Sequence, residues 1–202
     1  MSLDGETLRQ VARLHAARID QGFLSSLGVR FLTVLYRAID RSDSAVLIVQ
    51  RDGSDVIGFV SGGIGMGPIY KQMLRDCPAL ILSLVHVVLR PRKLWGIIEI
   101  LLRGGDDGLE CELPRAELFS IAVALDARGG DVAKRLYTAL CMHFRQQDIP
   151  AFRIVVGEAL LPAHRFYAKM GAEPAASLRV HYNAGSTVYV QYLQKSWDAS
   201  QS

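Results

Sequence analysis

The chain has 202 residues, of which 50% are apolar and 21% carry a charge, and its formal net charge is +3. This composition is typical of a globular protein, and the length suits one α/β domain better than two small ones. The mild charge, without a long run of Lys and Arg, argues against a nucleic-acid-binding protein and is compatible with an acidic small ligand.

The opening residues, MSLDGETLRQ, lack the charged-then-apolar pattern of a signal peptide. The longest apolar run, Pro78 to Leu89, is too short to cross a bilayer. The cysteines Cys77, Cys111 and Cys141 are odd in number and far apart, which argues against a disulfide framework or a zinc site. We therefore expect a cytoplasmic protein with free thiols, no metal and no membrane contact.

Two helices are predicted in the first forty residues. Apolar residues recur at helical spacing from Glu6 to Ala17 and again from about Ser26 to Ile39. The intervening IDQGFLSSLG contains Gly22 and Gly28 and is predicted to be a loop.

A β-hairpin is predicted next. AVLIVQ (45–50) and VIGFVSGGI (56–64) are rich in β-branched residues and flank Asp52-Gly53, a strong turn signal.

The stretch from Gly65 to Glu112 differs from its surroundings because it is apolar, helical in character and interrupted by Pro78 and Pro91. It predicts a helical insertion of two or three helices at about 66–112. Its apolar content exceeds what one surface stripe needs, so it could cover a site, form a dimer contact or touch a membrane surface.

The second half alternates strands and helices. The predicted elements are a strand at 117–125, a helix at 128–147, a strand at 151–157, a helix at 162–170 and a closing hairpin of residues 177–182 and 186–193. A βαβα order places a phosphate site at its first turn and a reactive site where the strands part. The sequence has neither a G-x-G-x-x-G dinucleotide fingerprint nor a Walker A motif.

The stretch LFSIAV-x-L-x-A-R-G-G-D-V-A-K-R-L, followed by FRIVV and AHRFYAKMG, resembles the GNAT superfamily of acyl-CoA-dependent N-acetyltransferases over residues 117–193. The resemblance implies an α/β fold with a mixed, mostly antiparallel central sheet and helices on both faces. The helical insertion would lie between the early hairpin and the cofactor-binding strand. A single acetyltransferase domain over 1–202 is expected, with a cofactor-binding core at 117–171.

The turn motif of that family is Arg/Gln-x-x-Gly-x-Gly/Ala, whose amides bind the pyrophosphate of coenzyme A. Here Asp131 stands at the inner glycine, where it either faces solvent or caps its own helix and takes the amides that a phosphate needs. The cofactor-binding residues implied by the resemblance are Ile121, Ala122, Val123, Arg128, Gly129, Gly130, Asp131, Val132, Ala133 and Phe166.

The resemblance also implies that Tyr167 protonates the leaving thiolate, which a phenol can do. Two carboxylates at strand ends, Glu117 and Glu158, are the candidates for the general base. His15 and His181 are further candidates for lining the acceptor side.

Two positions depart from the family's usual residues. Leu160 stands where an Asn is usual, and Ala172 replaces the aromatic residue after Gly171.

The predicted function is transfer of an acetyl group from acetyl-CoA, as co-substrate, to a primary amine of a small molecule by direct attack in a ternary complex. The pattern IDQGFLSSLG–FL–LY is similar to GNAT proteins of bacterial surface-sugar pathways, which implies an amino sugar. Two alternatives remain open. One is a non-catalytic acyl-CoA-binding sensor, and the other is a membrane-facing or oligomeric partner, such as a homodimer, that uses the insertion.

Overall fold

The structure is a computed structural model that describes residues 2–19, 24–75, 113–180 and 184–193. The described helices and strands follow one another in the order that the sequence predicts. In chain order they are α1 (Gly5–Arg18), a 3₁₀ turn (Leu24–Leu27), α2 (Gly28–Asp40), β1 (Ala45–Asp52), β2 (Asp55–Ile64), α3 (Gly67–Arg75), β3 (Ala116–Val123), α4 (Val132–Gln146), β4 (Ala151–Gly157), α5 (Leu161–Lys169), β5 (Glu173–Val180) and β6 (Ala184–Tyr192). Within the insertion predicted at 66–112, α3 is described, and residues 76–112 lie outside the described residues, as does His181.

The described strands form one six-stranded sheet in the order β1-β2-β3-β4-β6-β5. Its neighbouring strands run antiparallel except β3 and β4, which are parallel. The parallel pairing joins Ala116–Leu118 to Phe152–Ile154 and goes no further. The prediction of a mixed, mostly antiparallel sheet is therefore confirmed, and the central strands separate beyond Leu118.

Helices cover both faces of this sheet, also as predicted. On one face, α1, α2 and α3 pack in a cluster that includes Leu8, Phe31 and Phe59. On the other, α4 packs over β1, β2 and β3, and it shares with α5 an apolar cluster around Tyr137 and Phe152. Among the described residues, no helix combines the length and the apolar character that crossing a bilayer requires.

Glycines with positive φ move two helix boundaries away from their predicted positions. The predicted helix at 128–147 begins only at Val132, since Gly129 has φ +82° and the residues before Val132 form a turn. Likewise the second helix begins at Gly28, where φ is +86°, and not at Ser26. The end of the predicted loop is a 3₁₀ turn at 24–27.

The first and last elements also differ from the prediction in their limits. Helix α1 begins directly after Asp4, whose carboxylate accepts the amides of Glu6 and Thr7 at 2.9 Å each. Strand β5 begins at Glu173, four residues before the predicted hairpin strand, because its pairing with β6 extends from Val180 back to Glu173.

Candidate active site

The open edge of β3 is the central feature of the candidate site. Beyond Leu118 no described strand pairs with the edge of β3 that faces β4. The Ala124 amide donates to the Ile57 carbonyl of β2 at 2.8 Å, and backbone groups alternate between the two edges of a strand. The backbone groups of Ile121 and Val123 therefore face the open edge, where an extended ligand can add as a further strand.

Ala122, the third strand residue that the resemblance implicates, lies differently. It pairs with Phe59 in register, and its carbonyl lies beside Gly58 of β2. Its backbone is thus used within the sheet, and its side chain is buried.

The turn before α4 presents backbone amides at a helix N-terminus. The Arg128 amide donates to the Leu125 carbonyl at 3.2 Å, and Gly129 then adopts φ +82°. Asp131 occupies the N-cap position, yet its exposed side chain makes no capping hydrogen bond. Asp131 therefore does not cap its own helix. The first amides of α4, from Val132 on, remain available to bind an anion.

Basic residues flank that turn in the sequence. Arg128, Lys134 and Arg135 all have exposed side chains. They offset the negative charge of Asp131 and favour a phosphate-bearing ligand.

Tyr167 lies on α5 with its ring in an aromatic cluster. The side chain is 5% exposed, and its ring centroid lies 5.9 Å from that of Tyr137 and 6.4 Å from that of Tyr189. Burial raises the pKa of Tyr167 well above its usual value, so the phenol keeps its proton at neutral pH.

The Tyr167 hydroxyl has no hydrogen-bond partner among the described residues. In contrast, every fully buried polar side-chain atom among those residues has a partner. It follows that this hydroxyl reaches accessible space although its ring is buried. Phe166 is half-buried and packs edge-on against Tyr137 at 5.7 Å, which makes it a support for this cluster.

Glu117 forms an ion pair at the point where β3 and β4 separate. It lies opposite Arg153 in the parallel register, and its Oε2 accepts from Nε at 3.0 Å and from Nη2 at 2.9 Å. The two side chains are 21% and 18% exposed. Burial, with the charge of Glu117 as a second cause, raises the pKa of Tyr70 to about 12, so that phenol keeps its proton at neutral pH.

Glu158, the other candidate base, lies elsewhere. It is exposed, its amide donates to the Gly185 carbonyl at 3.0 Å, and its carboxylate covers the Cα of Gly185 on β6. Glu158 therefore lies beside β6, which borders one side of β4, whereas Glu117 lies on β3, which borders the other side.

His15 belongs to a buried polar chain that the sequence did not reveal. Its Nδ1 lies 2.5 Å from the Tyr36 hydroxyl, which lies 2.9 Å from Ser120 Oγ, and Ser120 Oγ lies 2.8 Å from Ser61 Oγ. The spacing of His15 from Leu8 and Val11 is the one available signal, because it puts His15 on the buried stripe of α1.

Acid should destabilise the fold through His15. Burial lowers its pKa to about 4 from 6.5, so the unfolded chain binds more protons between these values and stability falls as pH drops from 6.5 to 4. We expect a loss of about 2 kcal/mol between about pH 7 and about pH 4.5, measured by urea unfolding at both values.

The matched variant is His15→Asn, which keeps an acceptor for Tyr36 without a titrating ring and should flatten this pH dependence. His143→Gln is the control, since burial also lowers the pKa of that half-buried ring. Asp4, whose pKa is lowered to about 2, chiefly by its hydrogen bond with the Thr7 hydroxyl, acts only at lower pH. An unchanged slope in His15→Asn would contradict the assignment.

His164 is a second histidine with a defined structural role that sequence reasoning missed. Its Nε2 lies 3.1 Å from the Gly157 carbonyl, which can only accept, so Nε2 carries the proton. Nδ1 then accepts from the Tyr189 hydroxyl at 2.9 Å. His164 thereby ties α5 to the end of β4, close to the Tyr167 cluster.

The described cysteine offers no reactive thiol. Cys141 is buried on α4, and burial raises its pKa to about 11. Within the described ranges, no group of three or more His, Cys, Asp or Glu side chains could hold a metal ion.

Comparison with known proteins decides the family. A family model described as the acetyltransferase (GNAT) family matches residues 17–172. The chain belongs to this family. The match covers α2 through α5, and thus the open edge of β3, the turn before α4 and Tyr167, as the sequence resemblance implied. A search of the curated proteins finds no match for this GNAT chain.

Solved structures share the fold across nearly the whole GNAT chain. An N-acetyltransferase from Staphylococcus aureus Mu50 is 13% identical, with a TM-score of 0.62 and coverage of 96% of this chain and 97% of that one. The ribosomal-protein-S18-alanine N-acetyltransferase of Escherichia coli is 10% identical, with a TM-score of 0.58 and coverage of 100% and 97%. Arabidopsis thaliana NAA60 in complex with acetyl-CoA is 15% identical, with a TM-score of 0.59 and coverage of 96% and 97%.

Proposed function

We propose that this GNAT protein transfers an acetyl group from acetyl-CoA to a primary amine of a small molecule by direct attack in a ternary complex. The observation that carries the proposal is the open edge of β3, a strand that the turn before α4 follows directly in the chain. The complex of Arabidopsis thaliana NAA60 with acetyl-CoA supports the choice of acyl donor.

Acetyl-CoA would bind along β3 as an added strand. The pantetheine arm pairs with the backbone of Ile121 and Val123, whose groups face the open edge. Its pyrophosphate lies at the amides from Gly129 to Ala133, with Arg128 beside it. Ala122 and Phe166 support this site from the sheet and from the aromatic cluster.

The transfer would proceed through a tetrahedral intermediate. The amine nitrogen attacks the thioester carbonyl carbon, and the Ile121 amide stabilises the negative charge on the carbonyl oxygen. The carbon–sulfur bond then breaks, and Tyr167 gives its proton to the thiolate of coenzyme A. A base takes the proton that the attacking amine loses, so that an amide and a free thiol are the products.

We assign the base to Glu117 in preference to Glu158. Glu117 lies where β3 and β4 separate, and Arg153 holds its carboxylate in an ion pair. Glu158 is exposed and lies over Gly185 of β6.

The proposed acceptor is an amino sugar. Val155 is 41% exposed on β4 and shares a face with Arg153, two residues away. An apolar surface beside an ion pair suits a sugar ring, which has apolar faces and polar edges. Turnover should be measured across amino sugars, polyamines and peptides, and the absence of turnover on any amino sugar would contradict this choice.

Calorimetric titration of acetyl-CoA tests the site directly. A carboxylate about 6 Å from a phosphate charge costs roughly 0.7 kcal/mol at the dielectric of water and about 3 kcal/mol at an effective value of 20. Replacing Asp131 by Gly should therefore tighten binding between about threefold and about a hundredfold.

Asp126→Asn, which removes an exposed charge from the start of the same turn, is the control and should change affinity less. No binding to either wild type or Asp131→Gly would refute the proposed function. Binding without turnover on any amine would instead favour the acyl-CoA sensor. Asp131 and Leu160, which differ from the family's usual residues, support that alternative.

A further inference from the structure

Four polar side chains from separate elements meet inside the apolar cluster between α1, α2 and the sheet. His15 comes from α1, Tyr36 from α2, Ser61 from β2 and Ser120 from β3. Hydrogen bonds connect Nδ1 of His15 to the Tyr36 hydroxyl (2.5 Å), that hydroxyl to Ser120 Oγ (2.9 Å), and Ser120 Oγ to Ser61 Oγ (2.8 Å). His15 and Tyr36 both pack against Phe59, with ring centroids 6.4 and 5.1 Å away.

The direction of the hydrogen bonds in this chain follows from its buried end. Ser61 is 0% exposed, and Ser120 is its one hydrogen-bond partner among the described residues. Its proton must go to Ser120, or a buried donor would remain unpaired. Each hydroxyl has one proton, so Ser120 donates to Tyr36, and Tyr36 donates to Nδ1 of His15.

The hydrogen-bonded chain reaches β3 at Ser120, beside an irregularity of that strand. The register of β2 and β3 shifts between Ser61 and Gly62, which leaves Phe119 as the extra residue of a β-bulge. Ser120 follows this residue, and Ile121, whose amide faces the open edge, follows Ser120. The conformation at the bulge therefore sets where the Ile121 amide lies.

We propose that the hydrogen-bonded chain from Ser61 to His15 holds β3 at its bulge in the position from which the Ile121 amide polarises the thioester carbonyl of acetyl-CoA. This inference rests on the proposed function. Tyr36 and Ser120 are positioning residues in it, since they act through the backbone of Ile121.

The burial of these groups argues for a role beyond packing. Polar groups inside an apolar cluster stabilise a fold little, and replacing both partners by apolar groups of similar shape can be nearly neutral. Such a hydrogen-bonded chain fixes the relative positions of its members. Here one member, Ser120, belongs to β3, the strand on which the ligand would bind.

The test compares the affinities for acetyl-CoA and for coenzyme A, which differ by the acetyl group at the sulfur. In Tyr36→Phe and in Ser120→Ala we expect the preference for acetyl-CoA over coenzyme A to fall about fivefold, with coenzyme A affinity retained. The double variant should lose no more than either single variant, because both break one chain. With an amine acceptor, kcat should fall by about tenfold to a hundredfold while KM changes little.

Thr33→Val is the matched control. It removes a partly buried hydroxyl from the same helix, one that bonds the Val29 carbonyl at 2.8 Å, and should leave the preference unchanged. Ser120 is less buried than Tyr36, so Ser120→Ala remains a test if Tyr36→Phe does not fold.

The outcomes separate this inference from the function on which it rests. Unchanged preference in both variants overturns the inference alone, and so does a parallel loss of both affinities together with Tm, which indicates a packing role. A wild type that binds neither compound overturns the proposed function and the inference together.

Discussion

Replacing Tyr167 with phenylalanine is expected to lower kcat for acetyl transfer by about a hundredfold to a thousandfold, which is the range of a lost general acid. Acetyl-CoA affinity should change by less than about twofold, because the hydroxyl that is removed makes no hydrogen bond to the described residues. The ring and its aromatic contacts remain, so the fold should be retained.

Calorimetry and steady-state rates with an identified amine measure the two quantities. Tyr192→Phe is the control, since that side chain is 59% exposed at the end of β6. A kcat within about threefold of wild type would remove Tyr167 from the mechanism.

The pH dependence provides a second check on the same residue. Burial raises the pKa of Tyr167 well above its ordinary value, so the phenol stays protonated into strongly alkaline solution. The wild-type rate should therefore show no decline from Tyr167 ionisation below about pH 10. A decline between about pH 8 and about pH 10 that disappears in Tyr167→Phe would contradict the burial-based account.

Replacing Glu117 with glutamine should lower kcat by about a hundredfold. The amide cannot take the proton of the attacking amine, although it can still accept a hydrogen bond from Arg153. Because the substitution removes the charge of Glu117 from its ion pair with the half-buried Arg153, Tm must be measured alongside the rate.

Glu158→Gln is the matched variant, with the same chemical change at an exposed carboxylate. We expect it to retain nearly the full rate. The reverse result, in which kcat falls in Glu158→Gln and not in Glu117→Gln, would assign the base to Glu158, on the side of β4 that borders β6.

The features that were predictable from sequence are those with a local physical cause. The buried stripe of α4, with Val132, Leu136, Leu140 and Phe144 at four-residue steps, follows from helix geometry, and all four are buried. The hairpin of β1 and β2 follows from β-branched runs on either side of Asp52-Gly53. The family was recognisable for a related reason, because its motif lies in one continuous stretch.

Helix limits were less predictable where backbone conformation overrides the pattern. Gly129 and Gly130 could belong to a helix or to a turn on composition alone. The positive φ of Gly129 selects the turn and moves the start of α4 to Val132. Whether Asp131 capped its own helix was equally undecidable from its identity, since capping depends on a side-chain orientation.

The candidate site also depends on contacts between residues far apart in the chain. Tyr36 and Ser120 are separated by 84 positions, and Arg153 and Glu117 by 36. The first pair meets where the apolar cluster of α1 and α2 covers the sheet, and the second because β3 and β4 share a parallel register. Composition and periodicity carry no information on such pairings, which arise when the order of strands in the sheet and the packing of helices against it are established.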